Sequence, residues 1–262
     1  MFQIERQEKI LQYVNQRKRV YNAELCEKFD TSVVTIRNDL NELAKKDLLV
    51  KTFGGAIALE ERLNMEIPYQ TKYKKNMESK RKIAQIAASL IEDNDVIILD
   101  SGSTTLEIAK SLGNRALTVI TNDLQVGLIV ATHPKVKLII PGGTVMHPVY
   151  TLLGQDTVRF FERIEVNKLF LGIDALHFED GITNRTLDEV DLKRTMMRAS
   201  KQVIGCADSS KFGQKVFAKL CGPSEIDILI TEKINKKDAA SMSNLGVKVI
   251  TPDKADLDSK SE

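Results

Sequence analysis

Thr31-Ser-Val-Val-Thr-Ile-Arg-Asn-Asp-Leu-Asn-Glu-Leu-Ala-Lys-Lys-Asp-Leu-Leu49 is the stretch from which the rest of the chain can be read. Ser32 is a suitable N-cap, because its hydroxyl can accept from the free N–H groups of a first helical turn. Ile36, Leu40 and Leu43 follow at i, i+4 and i+7 and make one apolar stripe. The opposite side offers Thr35, Arg37, Asn38, Asn41 and Lys45. These are donors suited to phosphates and base edges, on a rod narrow enough for a major groove. A single amphipathic helix is most often a core helix with a solvated face, so its neighbours decide the matter.

Upstream, Asn22-Ala-Glu-Leu-Cys-Glu-Lys-Phe29 has helical spacing, with Asn22 as cap and Leu25, Cys26 and Phe29 inward. Only Asp30 and Thr31 separate Phe29 from the Ser32 cap, which spells helix, tight turn, helix. Ile4, Gln7, Leu11 and Val14 predict a first helix packed across that pair. Downstream, Leu48 to Ile57 alternates and turns at Gly54-Gly55, as a short β-wing does. Residues 1–58 therefore predict a winged helix-turn-helix. Its expected DNA contacts are Ser32, Val34, Thr35, Arg37, Asn38, Asn41 and Lys45 on the helix, with Lys51, Thr52 and Gly54 on the wing.

The charge distribution agrees, with little weight of its own. Residues 1–82 hold 17 Lys/Arg against 12 Asp/Glu, a net +5, and residues 83–262 hold 21 against 24, a net −3. A basic module on a mildly acidic body fits phosphate contact at one end only. The cysteines Cys26, Cys206 and Cys221 form no C-x-x-C pair, so a reducing compartment is expected. His133, His147 and His177 are scattered without metal-ligand spacing. No metal or other cofactor is called for. Met1-Phe-Gln-Ile-Glu-Arg6 does not resemble a secretion signal, and no apolar run approaches the length of a membrane span, so the expectation is a cytoplasmic protein with no membrane partner.

Residues 59–78 are expected to be a linker, with the lysine-rich segment Lys72 to Lys82 solvated as it runs into a helix over 79–91. Residues 79–252 then alternate short apolar strands with helices. Asp95–Asp100, Ala116–Thr121, Val136–Pro141, Lys168–Asp174, Gln202–Asp208, Asp227–Thr231 and Val247–Thr251 are the strands. Continuously apolar strands separated by helices predict a mostly parallel sheet covered on both faces. Residues 253–262 are expected to form a polar tail. The fold class is α/β.

In open α/β sheets, ligands bind at the carboxyl ends of the strands. The first of these ends in Asp100-Ser101-Gly102-Ser103-Thr104-Thr105 and enters a helix, a place where free N–H groups and the helix dipole suit a phosphate. Thr121 and Asn122 end the second strand and Gly142 and Gly143 the third. Asp174, Glu189, Lys193, Asp208 and Lys211 complete the expected effector site. Glu189 and Lys193 stand at i, i+4, and the plain reading is a surface pair worth about 0.3–0.5 kcal/mol.

Both halves resemble one family, the DeoR family of bacterial transcriptional regulators. The resemblance is carried by Leu25, Phe29, Ser32-Val-Val-Thr-Ile-Arg-Asn-Asp-Leu40, Leu43 and Gly54-Gly55-Ala56 in the first half. In the second it is carried by Asp100-x-Gly-Ser-Thr104, Thr121-Asn122, Gly142-Gly143, Gly172-x-Asp174, Gly181, Glu189, Lys193 and Asp208-Ser-Ser-Lys-Phe-Gly213. Two positions depart from the family pattern. Asn38 stands where a second arginine is usual, and Lys51 with Phe53 stands where the wing carries a basic residue and a histidine. The resemblance implies a sensor domain related in fold to ribose-5-phosphate isomerase, a phosphorylated sugar as effector, and a repressor of a carbohydrate operon. The partners then expected are an operator duplex, the effector and a second copy of the chain. The spacing alone leads only to a phosphate-containing or polyol-like small molecule.

Two other readings compete. Asp174, Glu189, Lys193 and Lys211 include the groups a sugar-phosphate isomerase needs. An architectural DNA-binding protein would use its second domain for association alone. The fused DNA-binding module favours a sensor over the enzyme, and the phosphate-type loop at Ser101–Thr105 argues against the architectural reading.

Overall fold

The computed structural model describes residues 2–46, 48–52, 54–58 and 69–252, and the chain divides between Met65 and Glu66 into two compact units. Phe53, the stretch 59–68 and the tail expected over 253–262 lie outside the described residues.

In the first unit, α1 (Gln3–Arg17), β1 (Arg19–Tyr21), α2 (Asn22–Phe29), α3 (Val33–Lys45), β2 (Leu49–Thr52) and β3 (Gly55–Ala58) follow in order. The three strands pair antiparallel in the order β1-β3-β2. Ile10, Val14, Leu25, Ile36, Leu40, Leu43 and Leu49 form the core. Two sequence expectations are corrected. The inward face of α1 is Gln7, Ile10 and Val14, and Ile4 is 73% exposed, one turn too early to reach the core. Asn22 does not cap α2: it is the first helical residue, and the backbone N–H of Tyr21, the capping position, donates to Glu24 Oε2 at 3.3 Å. Strand β1 was not foreseen, since three residues carry no period. It explains Gly55, where a Cβ would lie 1.9 Å from the Val20 carbonyl oxygen.

The second unit begins with α4 (Tyr69–Lys74) and α5 (Met77–Ser89). Then come β4 (Val96–Leu99), α6 (Ser103–Lys110), β5 (Leu117–Ile120), α7 (Leu124–Val130) and β6 (Val136–Ile139). A hairpin of β7 (Thr144–Met146) and β8 (Thr151–Leu153) leads to α8 (Gln155–Phe161) and β9 (Val166–Gly172). After these come β10 (Ala175–His177), β11 (Gly181–Asn184), α9 (Leu187–Arg198), β12 (Ser200–Cys206) and β13 (Ala218–Cys221). The last elements are β14 (Ile228–Ile230), α10 (Lys236–Asn244) and β15 (Lys248–Ile250).

Seven of these strands form one sheet in the order β15-β14-β12-β9-β4-β5-β6, and every pair in it is parallel. The period of two sends side chains to both faces. Ile97, Leu99 and Phe170 pack with α5, α6 and α7, while Ile98, Leu169 and Leu171 pack with α8, α9 and α10. The chain lays down β4, β5 and β6 to one side and then returns to place β9 on the other side of β4. The order therefore reverses between β4 and β9, the switch point where ligands bind in open α/β sheets. The sequence reading placed all seven strands. It missed the hairpin β7–β8 and the small antiparallel sheet β10-β11-β13, whose three- and four-residue strands mix polar with apolar side chains.

Candidate functional site

The first unit carries the candidate DNA face. Ser32 caps α3 as expected, its hydroxyl accepting from the Thr35 N–H at 3.2 Å. Such a cap contributes about 1 kcal/mol. Ile36, Asp39, Leu40 and Leu43 are buried, which turns Val34, Arg37, Asn38 and Lys45 outward. Arg37 and Asn38 make no side-chain hydrogen bond or ion pair among the described residues. Lys45 pairs with Glu42 at 2.8 Å, and Lys51 Nζ donates to Asn41 Oδ1 at 2.6 Å, joining the strand β2 to the recognition helix. Thr52 and Gly54 close the β2–β3 hairpin beside it. Asp39 was read as part of neither face. It is buried and accepts from Arg6 Nε at 2.6 Å and Gln7 Nε2 at 3.1 Å, so it anchors α3 to α1.

In the second unit, Asp100 leaves β4 fully buried. Its Oδ2 accepts from the Gly172 N–H at 2.9 Å and from Lys193 Nζ at 2.7 Å, and Lys193 also donates to the Gly172 carbonyl at 2.7 Å. Gly172 has no alternative here, because a Cβ would lie 2.9 Å from the Ser101 carbonyl oxygen and 3.3 Å from Asp100 Oδ2. Burial pulls the Lys193 ammonium toward neutrality, but Asp100, Glu189 and Asp174 outweigh it and hold the pKa above the usual lysine value. The surface-pair reading of Glu189 and Lys193 is therefore corrected. Both are buried, Lys193 reaches across to Asp100, and Glu189 accepts from the Thr186 hydroxyl at 3.0 Å.

Asp174 follows β9. Its Oδ1 accepts from Lys72 Nζ at 3.1 Å, and Arg185 Nε stands 4.0 Å from Oδ2. Burial raises its pKa, but Lys72, Lys193, Arg185 and Lys211 together hold the carboxyl well below the usual range. Lys211 is lowered by burial, which the attraction of Asp174 and Asp208 only partly offsets. Asp208, after β12, accepts from Asn76 Nδ2 at 2.7 Å and from the Ser210 N–H at 3.2 Å.

The lysine-rich segment is not solvated as expected. Lys80 is 3% exposed, and its Nζ donates to the carbonyls of Lys72 and Lys75 at the end of α4. Burial lowers its pKa. Sequence spacing could not show this, because lysines at such density read equally as a solvated face.

The loop after Asp100 contains Ser101, Gly102, Ser103, Thr104 and Thr105, with α6 starting at Ser103. The Gly102 N–H is already used: it donates to Asp123 Oδ2 at 3.1 Å. Asp123, which follows Thr121 and Asn122 at the strand end and starts the next helix, is not among the effector residues expected from sequence. It caps α7 by accepting from the Gln125 and Val126 N–H groups, and its own N–H donates to the Thr121 hydroxyl at 3.1 Å. Burial pushes its carboxyl up to about 6 against those three backbone donors. Gly142 and Gly143 stand apart from this cluster. Gly142 accepts from the Thr157 hydroxyl at 2.7 Å and lines a cleft of about 450 Å³ with Asp156, Arg159, Phe160, Arg163 and Ile164.

Several buried polar atoms near these strand ends have no hydrogen-bond partner among the described residues: Asp100 Oδ1, Asn122 Oδ1, Asp174 Oδ2 and both amide atoms of Asn184. A buried acceptor or donor left unmade costs about 1–3 kcal/mol, so native folds rarely keep such a set without use. Acceptors and one amide donor, arranged around buried cations, suit a small molecule rich in hydroxyls. The arrangement is poorly suited to isomerase chemistry. Asp174 is held ionised, Lys193 is held protonated, and a general base works best with a pKa near neutrality. Among the described residues, no group of three or more His, Cys, Asp or Glu is placed to hold a metal ion. No described helix is long and apolar enough to cross a membrane.

A winged helix-turn-helix with an outward polar recognition face, joined in one chain to a ligand-type α/β unit, defines a one-component transcriptional regulator. Residues 6–62 match the DeoR-like helix-turn-helix domain, and residues 75–233 match the DeoR C terminal sensor domain. The chain belongs to the DeoR family of transcriptional regulators. It is 34% identical over 253 residues to the HTH-type transcriptional regulator GolR of Listeria innocua, covering 95% of this chain and 98% of that one. It is 32% identical over 234 residues to the HTH-type transcriptional repressor GlcR of Bacillus subtilis, covering 89% and 90%. Among solved structures, ribose 5-phosphate isomerase A of Methanocaldococcus jannaschii matches 53% of this chain and 55% of its own, with a TM-score of 0.40 and 17% identity. The fold assignment rests on the sheet order and the family match.

Proposed function

We propose that the second unit binds a phosphorylated sugar at the carboxyl ends of β4, β9 and β12, and that occupancy changes the affinity of the first unit for its operator. The chain then acts as a repressor of a carbohydrate operon, in the cytoplasm, as a dimer or larger symmetric oligomer on a two-fold operator. The repressor reading is supported by the likeness to GlcR, a transcriptional repressor. The observation that carries the effector reading is the group of unpartnered buried atoms on Asp100, Asn122, Asp174 and Asn184 beside Lys193 and Lys211. The carboxylates and amides face sugar hydroxyls. The phosphate lies at the Ser101–Thr105 loop and the start of α6, with Lys211 as charge partner. An effector shifts the regulator only by binding its two states unequally. A thermal-shift screen with hexose and pentose phosphates tests the assignment. A ligand at about 100 times its Kd stabilises by about 2.7 kcal/mol. A screen in which no phosphorylated sugar raises the melting temperature overturns it.

A further inference from the structure

The segment that opens the second unit delivers two side chains into this same site, and neither belongs to the strand ends that build it. Lys72, from α4, places Nζ 3.1 Å from Asp174 Oδ1, and both side chains are largely buried, at 17% and 12% exposure. Asn76, in a left-handed conformation between α4 and α5, donates to Asp208 Oδ1 at 2.7 Å and to the Ser210 hydroxyl at 2.9 Å. Lys80 binds the carbonyls of Lys72 and Lys75, so the end of α4 is pinned to the first turn of α5. The segment 69–76 is thus strapped to two of the carboxylates expected to meet the sugar.

We infer that α4 is a latch on the effector site: Lys72 holds the Asp174 carboxylate through Oδ1, and a ligand hydroxyl that donates to the same carboxylate competes for its charge, displaces Lys72 and so moves the segment that opens the second unit. This inference rests on the effector reading above and states how that site is regulated. Asp174 Oδ1 faces Lys72, while Oδ2 has no hydrogen-bond partner among the described residues and is the oxygen at which a ligand enters. A hydroxyl that donates to this carboxylate weakens the hold on Lys72. Of the four cations that act on Asp174, Lys72 stands on α4, while Lys193, Arg185 and Lys211 stand on or beside α9, β11 and β12. Ligand occupancy and the latched position of α4 are then alternatives in one equilibrium, which is what coupling between two sites requires.

Hydrogen exchange on the full-length chain tests the latch. Without any ligand, Lys72→Met and Asp174→Asn should each raise amide exchange in residues 69–76 at least tenfold, while β9 and β12 keep their protection. The double variant should add little, because one interaction is removed twice. Unchanged exchange at 69–76 in Lys72→Met overturns the inference, and a general loss of protection in Asp174→Asn is separated from it by that first variant. A second arm adds glucose 6-phosphate, fructose 6-phosphate or ribose 5-phosphate to the wild type. Binding should raise exchange at 69–76, and Lys72→Met should bind the same compound more tightly. Increased protection at 69–76 on binding, or weaker binding by Lys72→Met, makes Lys72 a ligand contact and overturns displacement. If none of these compounds binds, the sugar-phosphate reading is what fails, and the ligand-free arm still decides the latch.

Discussion

Lys193 Nζ and Asp100 Oδ2 stand 2.7 Å apart at the centre of the second unit, 93 residues apart in sequence and both buried. The pair ties the helix α9 to the end of β4, at the point where the strand order reverses. Removing one partner of a buried pair leaves the other charge uncompensated, at a cost of about 3–5 kcal/mol. Lys193→Met should therefore lower the unfolding free energy by that amount in urea titrations. Asp100→Asn combined with Lys193→Met should cost less than the two single changes added together. Additive costs would show that the two groups do not act as a pair.

On the DNA face, Arg37 is exposed and makes no side-chain hydrogen bond or ion pair among the described residues, so its replacement has little to disturb. Arg37→Ala should weaken operator binding at least tenfold, about 1.4 kcal/mol, with the melting temperature unchanged. Lys51→Ala should act differently. As a phosphate contact it should weaken specific and random duplexes alike and reduce the salt slope by about one. Fluorescence anisotropy across a salt series checks both. An Arg37→Ala protein that binds as the wild type does would remove this face from the interface.

Asp123 gives the second unit a pH signature. Its carboxyl is about 6 in the fold and 3.8 as the ordinary value. Between those values the folded state holds a proton that the unfolded chain has released. Stability from this group is therefore full below about pH 4 and is lost as pH rises through about 6, by roughly 3 kcal/mol in all. Asp123→Asn should flatten that part of the profile in urea unfolding at successive pH values. A wild-type profile that instead gains stability from pH 4 to 6, unaltered in Asp123→Asn, contradicts the assignment.

How far the sequence carried this account depended on the kind of signal each residue left. The α3 stripe and the seven apolar strands were legible because one face or both faces of each element are buried, and burial writes a period into the sequence. Asp100, Asp174, Lys193 and Asp208 were legible as strand-end or helix polar residues, and the structure gathers them. The roles of Lys193 and Lys72 were not. Lys193 was taken with its i, i+4 neighbour, whereas its partner comes from another strand, and long-range pairing leaves no local pattern. Lys72 and Lys80 look like solvated charge in sequence and Asn76 like a linker residue, because only the packing of α4 and α5 brings them to their partners. Asp123 was hidden for a different reason: an aspartate before a helix reads as an ordinary cap, which it is, and its third bond to Gly102 is tertiary. Gly142 and Gly143 had the right position at a strand end, but their strand is the sheet's edge, away from the reversal of strand order.

Control of DNA binding by a phosphorylated sugar is measured directly by operator release. The full-length protein is held on a fluorescent operator duplex, and each sugar phosphate from the thermal-shift screen is titrated beside its dephosphorylated sugar. The account expects one phosphorylated compound to change operator affinity at least tenfold, about 1.4 kcal/mol of coupling, and the free sugar to need at least ten times the concentration for the same effect. Lys211→Glu should lose that response and keep full operator affinity. Equal potency of the sugar and its phosphate, or operator affinity untouched by every compound that binds, would contradict it.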